Sequence, residues 1–124
     1  MKISGSQTLT LNAGQTLTIN TGANTAGGLL VDGGSAVITG GTGLTVNGAR
    51  ELVIRVNGAT DSLTLNSTIA STTTAGLTKN GNGLLVLNGA QAYTGVTTIN
   101  EGALRLGVGS RLGGATASNN NNLT

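Results

Sequence analysis

The sequence predicts an all-β fold, a solenoid of short strands wound into irregular coils. Three observations predict it. A short phrase recurs along most of the chain, in which two apolar residues flank a third residue and an Asn or Asp follows. Glycine fills 22 of 124 positions, far above its usual share of about 7 per cent. Pro, Cys, Phe and Trp are absent, and Tyr93 is the only aromatic residue.

The phrase opens as Leu9-Thr10-Leu11-Asn12 and Leu17-Thr18-Ile19-Asn20, and continues as Leu29-Leu30-Val31-Asp32 and Leu44-Thr45-Val46-Asn47. It returns as Ile54-Arg55-Val56-Asn57, Leu63-Thr64-Leu65-Asn66 and Leu85-Val86-Leu87-Asn88, with weaker variants Thr97-Thr98-Ile99-Asn100 and Leu104-Arg105-Leu106-Gly107. Apolar residues at a period of two put one strand face inward and the other outward. Leu87, Ile99, Leu104 and Leu106 are thus expected inside, and Thr98 and Arg105 outside. Glycine every few residues would cost a helix about 1 kcal/mol each, while the β-branched content suits strands. Asn and Gly end each strand because both enter the left-handed region cheaply and Asn closes local turns.

Asn47-Gly48, Asn57-Gly58 and Asn88-Gly89 are also hairpin dipeptides, which would suit an antiparallel sandwich or barrel. A sandwich core about 10 Å thick calls for larger side chains than this chain owns. Stacked coils of Leu, Ile, Val and Ala fill a narrow interior, and equivalent Asn residues can ladder from coil to coil, so the composition favours a solenoid. The phrases are unevenly spaced and the Thr-rich stretch Ser67 to Gly76 interrupts them, which makes the solenoid irregular. At roughly 20 to 25 residues per coil, residues 1–124 form a single module of about five coils, about 25 Å tall. Residues 108–124 read as a less regular tail.

Charge narrows the function. The formal net charge is +2, and only 8% of residues are charged. The pI of 9.7 therefore reflects few charges rather than a basic surface. Arg50, Arg55, Lys79, Arg105 and Arg111 are scattered, without the clustering that displaces counterions from nucleic acid. The Leu, Ile and Val at short intervals, with so little charge, also argue against a disordered chain. Lacking Cys and His, the sequence offers no disulfide, no thiolate metal site and no histidine base. Met1-Lys2-Ile3 runs into Ser4-Gly5-Ser6 without an apolar signal region, and no stretch approaches a membrane span.

Four carboxylates, Asp32, Glu51, Asp61 and Glu101, are the first place to look for an acid pair or a calcium site. Each is isolated in sequence and reads as a solvated corner charge. A Ser-Lys pair through Lys2 or Lys79 has no supporting motif. Gly27-Gly28 and Gly40-Gly41-Thr42-Gly43 precede no helix, so they read as tight corners rather than phosphate loops. Thr8-Leu9-Thr10 and Thr16-Leu17-Thr18 read as exposed strand threonines rather than an ice-binding array, and Tyr93 as a residue packed over a coil edge with its hydroxyl bonded. No catalytic, cofactor-binding or metal-binding residue is assigned.

One segment adds a resemblance. Its text is Leu77-Thr78-Lys79-Asn80-Gly81-Asn82-Gly83, Leu85-Val86-Leu87-Asn88-Gly89, Tyr93-Thr94-Gly95, Thr97-Thr98-Ile99-Asn100, Glu101-Gly102 and Ala103-Leu104-Arg105-Leu106-Gly107. Residues 77–107 resemble the autotransporter-associated β-strand repeat, or passenger-associated transport repeat. Leu84 and Val86 stand where that family more often has Thr, and Gln91-Ala92 replaces its usual Asn-Thr. The resemblance implies a right-handed parallel β-helix secreted by Gram-negative or related bacteria, in which the repeat assists folding or export. With neither a signal peptide nor a membrane barrel evident, no export route is carried over. The expected function is an extracellular or bacterial cell-surface structural module. Its expected partner is itself, through terminal edge strands that would join copies end to end into filaments. A passenger fragment of adhesin type, binding a surface glycan, is the alternative.

Overall fold

The computed structural model describes residues 1–19, 26–46, 50–70 and 74–113. Where apolar residues alternate, the chain forms strands. They are β1 (Lys2–Ser4), β2 (Thr8–Leu11), β3 (Thr16–Ile19), β4 (Gly27–Asp32), β5 (Ser35–Gly40) and β6 (Gly43–Val46). There follow β7 (Arg50–Val56), β8 (Ser62–Leu65), β9 (Thr74–Asn80), β10 (Leu84–Leu87), β11 (Thr97–Ile99) and β12 (Ala103–Leu106). Among the described residues no helix is long and apolar enough to cross a membrane.

The strands pair only with equivalents one coil away. The first face has the order β1-β4-β7-β9-β11, the second β12-β10-β8-β5-β2 and the third β3-β6. Isolated parallel bridges, Leu44 to Ile69 and Ala90 to Arg111, carry the third face into later coils. Strand pairing is parallel throughout. Parallel neighbours cannot be joined by a two-residue turn, so Asn57-Gly58 and Asn88-Gly89 turn corners between faces and form no hairpins. Asn20, Asn47-Gly48, residues 71–73 of the Thr-rich stretch and residues 114–124 of the tail lie outside the described residues.

Five coils result, in agreement with the sequence expectation, and they shorten along the chain. Coil-to-coil hydrogen bonds join Ser35 to Ser6 across 29 residues and Ser62 to Ser35 across 27. Asn88 reaches Asn66 across 22, and Asn100 reaches Asn80 across 20. The loss comes from the corners, since the stacked strands stay three to seven residues long.

Inward side chains form columns along the stack. One runs Leu9, Ile38, Leu65, Leu87, Leu106, and its neighbour Ala36, Leu63, Leu85, Leu104. On the first face Leu29, Ile54, Lys79 and Ile99 share a column. As expected, Leu87 and Leu104 are buried, Ile99 and Leu106 are half-buried against the core, and Thr98 and Arg105 are exposed.

The expectation for the glycines holds in one place and fails in another. Gly40 and Gly41 turn the corner between β5 and β6 with φ of 80° and 63°. Gly27 and Gly28, expected to form a corner, instead open strand β4. The reason is close approach: a Cβ on Gly27 would lie 2.0 Å from Val46 Cγ1 and 2.9 Å from the Ile19 carbonyl.

Because columns set which face is dry, Leu104→Asp will unfold the last coils, whereas Thr98→Lys will leave the melting temperature within a few degrees of the parent. Leu63→Ala, a truncation at mid-stack, will cost about 2–5 kcal/mol. Thermal melts followed by far-UV circular dichroism measure all three, and equal sensitivity at positions 98 and 104 would contradict the facing assigned here.

Candidate functional site

A corner is the one place where a solenoid backbone leaves its ladder, so its N–H and C=O groups need other partners. The corner between the first and second faces collects most of the chain's charged groups. Asp32, Asp61 and Glu101 lie on it, with Lys2, Arg55 and Lys79 reaching it from the first face.

Asp61 is 7% exposed. Its Oδ2 accepts from Gly33 N at 3.0 Å and Gly58 N at 2.8 Å, and its Oδ1 accepts from Gly34 N at 2.9 Å. It therefore clips the corner of its own coil to that of the preceding one. The Gly33 amide, followed by that of Gly58, holds its carboxyl below the ordinary value of 3.8. Asp32 is also pulled down, first by its hydrogen bond from Lys2 and then by that from Asn57. Its Oδ2 lies 2.9 Å from Lys2 Nζ, and its Oδ1 accepts from Asn57 Nδ2 at 3.0 Å.

Glu101 repeats the Asp61 device two coils later, its Oε2 accepting from Gly81 N at 2.8 Å with Arg55 Nη1 at 3.9 Å. Glu51 lies in strand β7 and accepts from Thr78 Oγ1. All four acids thus face donors, and every carboxylate oxygen of Asp32 and Asp61 is engaged. The sequence reading as solvated corner charges is corrected for Asp61, which is buried, and for Glu51, which sits on a strand. No three acids converge on a cation position among the described residues.

Lys79 departs further from expectation. It is fully buried, in a column with Ile54 and Ile99, and its ammonium turns back into the corner. Nζ donates to the carbonyls of Gly81 at 2.7 Å, Asn80 at 2.8 Å and Glu101 at 3.2 Å. A charge-assisted hydrogen bond is roughly twice as strong as a neutral one; two of these three close the corner of the fourth coil, and the third ties it to the fifth. Burial nevertheless lowers its pKa from 10.5 to about 8, against the opposing pull of Glu101. Sequence reasoning passed over this residue, although the parity of Leu77-Thr78-Lys79 already placed it on the inward side.

The third face holds two further structural side chains. Tyr93 is buried with its hydroxyl bonded to Thr97 Oγ1, as expected, and burial raises its pKa. Gln91 Oε1 accepts from Ile69 N at 2.8 Å, while its Nε2 donates to the carbonyls of Asn88 at 3.1 Å and Gly89 at 3.2 Å. A groove of about 480 Å³ opens beside them, lined also by Thr94 and Arg111.

These partners fall within one short segment. Lys79 with Glu101, Asn80 with Asn100, Gly81 with Glu101 and Tyr93 with Thr97 lie 22, 20, 20 and 4 residues apart. Residues 77–106 match the Passenger-associated-transport-repeat family. The repeat spans enough chain to stack on itself, β9 on β11 and β10 on β12. The match covers 30 of the 124 residues. No curated protein and no solved structure matches the chain.

Replacing Lys79 with Met will remove three hydrogen bonds to carbonyls and cost about 1–3 kcal/mol. Between about pH 8 and 10.5 the unfolded chain keeps a proton that folded Lys79 has released. Stability contributed at this residue therefore rises with pH through that window. Urea melts of parent and Lys79→Met across that range will show their difference widening as pH increases; a constant difference would contradict the burial of the amine.

Asp61→Asn will lower the melting temperature by placing an amide where three N–H donors converge. The depressed pKa means that the carboxylate's contribution is complete above 3.8 and is lost as pH falls below it. The gap between parent and variant melting temperatures will accordingly close in acid.

Proposed function

We propose that the chain is a non-catalytic structural solenoid module of an extracellular or cell-surface passenger, and that it extends by docking end to end with a second copy. The carboxylates support the non-catalytic part of the reading. General acid work calls for a raised pKa, whereas Asp32 and Asp61 are lowered and their oxygens are occupied.

One observation carries the docking. Six half-buried apolar side chains pack against the core, and all belong to the terminal coils: Leu9, Leu11 and Leu17 in the first, Ile99, Leu106 and Leu112 in the last. Leu9 and Leu106 are the two ends of a single inward column. Head-to-tail addition of a copy continues that column and keeps the strands parallel. The outer edges of β1, β2, β11 and β12, which end their sheets, gain main-chain partners at the same step. Glycan recognition would use the outward polar columns instead. Several of their side chains already bond one another, as in Ser62 to Ser35, Asn88 to Asn66 and Asn100 to Asn80.

Light scattering over a wide concentration range, with electron microscopy of the same samples, tests this reading. Species that lengthen along one axis with concentration are expected. Leu9→Lys or Leu106→Lys will each reduce them, since either end carries half of the contact. A monomer at every concentration would overturn end-to-end assembly.

A further inference from the structure

Four Asn-Gly pairs fall wholly within the described residues, at 57–58, 80–81, 82–83 and 88–89. Such a pair can modify itself, because glycine's backbone nitrogen is sterically free to attack the preceding side-chain amide. What governs the reaction in a folded chain is whether that nitrogen is available. In three pairs its N–H is tied: Gly58 N to Asp61 Oδ2 at 2.8 Å, Gly81 N to Glu101 Oε2 at 2.8 Å, and Gly83 N to the Val56 carbonyl at 3.0 Å. Gly89 is the exception. Its N–H has no acceptor among the described residues, it is exposed, and no atom lies within 4 Å of the position a Cβ would take.

We propose that Asn88-Gly89 is a self-modification site. Gly89 N bonds to Asn88 Cγ and loses its proton to solvent, while the bond from Cγ to the side-chain nitrogen breaks and ammonia leaves. Water then opens the succinimide at either carbonyl, giving aspartate or isoaspartate at position 88. The corner responds in two ways. Asn88 Nδ2, which donates to Asn66 Oδ1 at 2.7 Å, is gone, so Asn66 must turn its amide to keep the contact. The isoaspartyl form also routes the main chain through Cβ and Cγ and turns the Asn88 carbonyl that receives Gln91 Nε2 into a free carboxylate outside it, and so loosens the residue that holds Ile69 N.

The test is incubation of the folded chain in mildly alkaline buffer, followed by peptide mapping for replacement of a side-chain NH2 by OH. Position 88 will convert at least about fivefold faster than 57, 80 and 82, the factor that one retained hydrogen bond protects. In denaturing urea the four rates will converge. Hydrogen exchange at the Ile69 amide will quicken in the isoaspartyl fraction and stay at the parent level in Asn88→Gln. Conversion at 88 no faster than at the other three positions, in the folded chain, would overturn the assignment.

Discussion

Everything in this molecule depends on the parallel main-chain ladder from one coil to the next. Among the described residues a single coil has no internal strand pairing; the N–H and C=O groups of its strands are satisfied by the coils above and below. The side chains must follow that vertical register, which is why inward residues form columns rather than an interlocked core. Small aliphatic residues suit such columns, and the missing aromatics are a consequence. Among the described residues, the same dependence leaves the first and last coils at the ends of their sheets, with half-buried leucines.

Corners are where the ladder fails, and the polar chemistry of the chain gathers there. Asp61 and Glu101 accept from glycine amides of an earlier corner, whereas Lys79 donates to carbonyls of its own corner and the next. The two devices are complementary, an acid for orphaned donors and an ammonium for orphaned acceptors. Burying an amine is costly in isolation, and the lowered pKa of Lys79 records that cost. Its tolerance rests on the three carbonyls that receive its ammonium.

The transport repeat can be understood in these terms. With 20 to 22 residues between partners it is long enough for two adjacent coils to meet inside one segment. The shortest coils of the stack lie there, with an Asn ladder, a carbonyl cage and a buried Tyr-Thr contact. Closure of this unit involves a short loop, for which the entropic cost is smallest. The earlier coils, up to 29 residues around, require longer closures.

The sequence by itself determined the strands, their inward faces, the number of coils and the ladder of asparagines. All of these follow from a period of two punctuated by Asn and Gly, which is local information. It also held the parity of Lys79, but not the meaning, since a lysine on an inward position has a partner only when another coil lies beneath it. Only the tertiary structure decided that Gly27 sits in a strand against Val46, that Asp61 is buried among three amides, and that Gly89 alone of four such glycines has an unengaged N–H among the described residues. Those facts depend on the vertical register between coils, and register is fixed by how unequal corners close. No repeating phrase encodes the length of a corner.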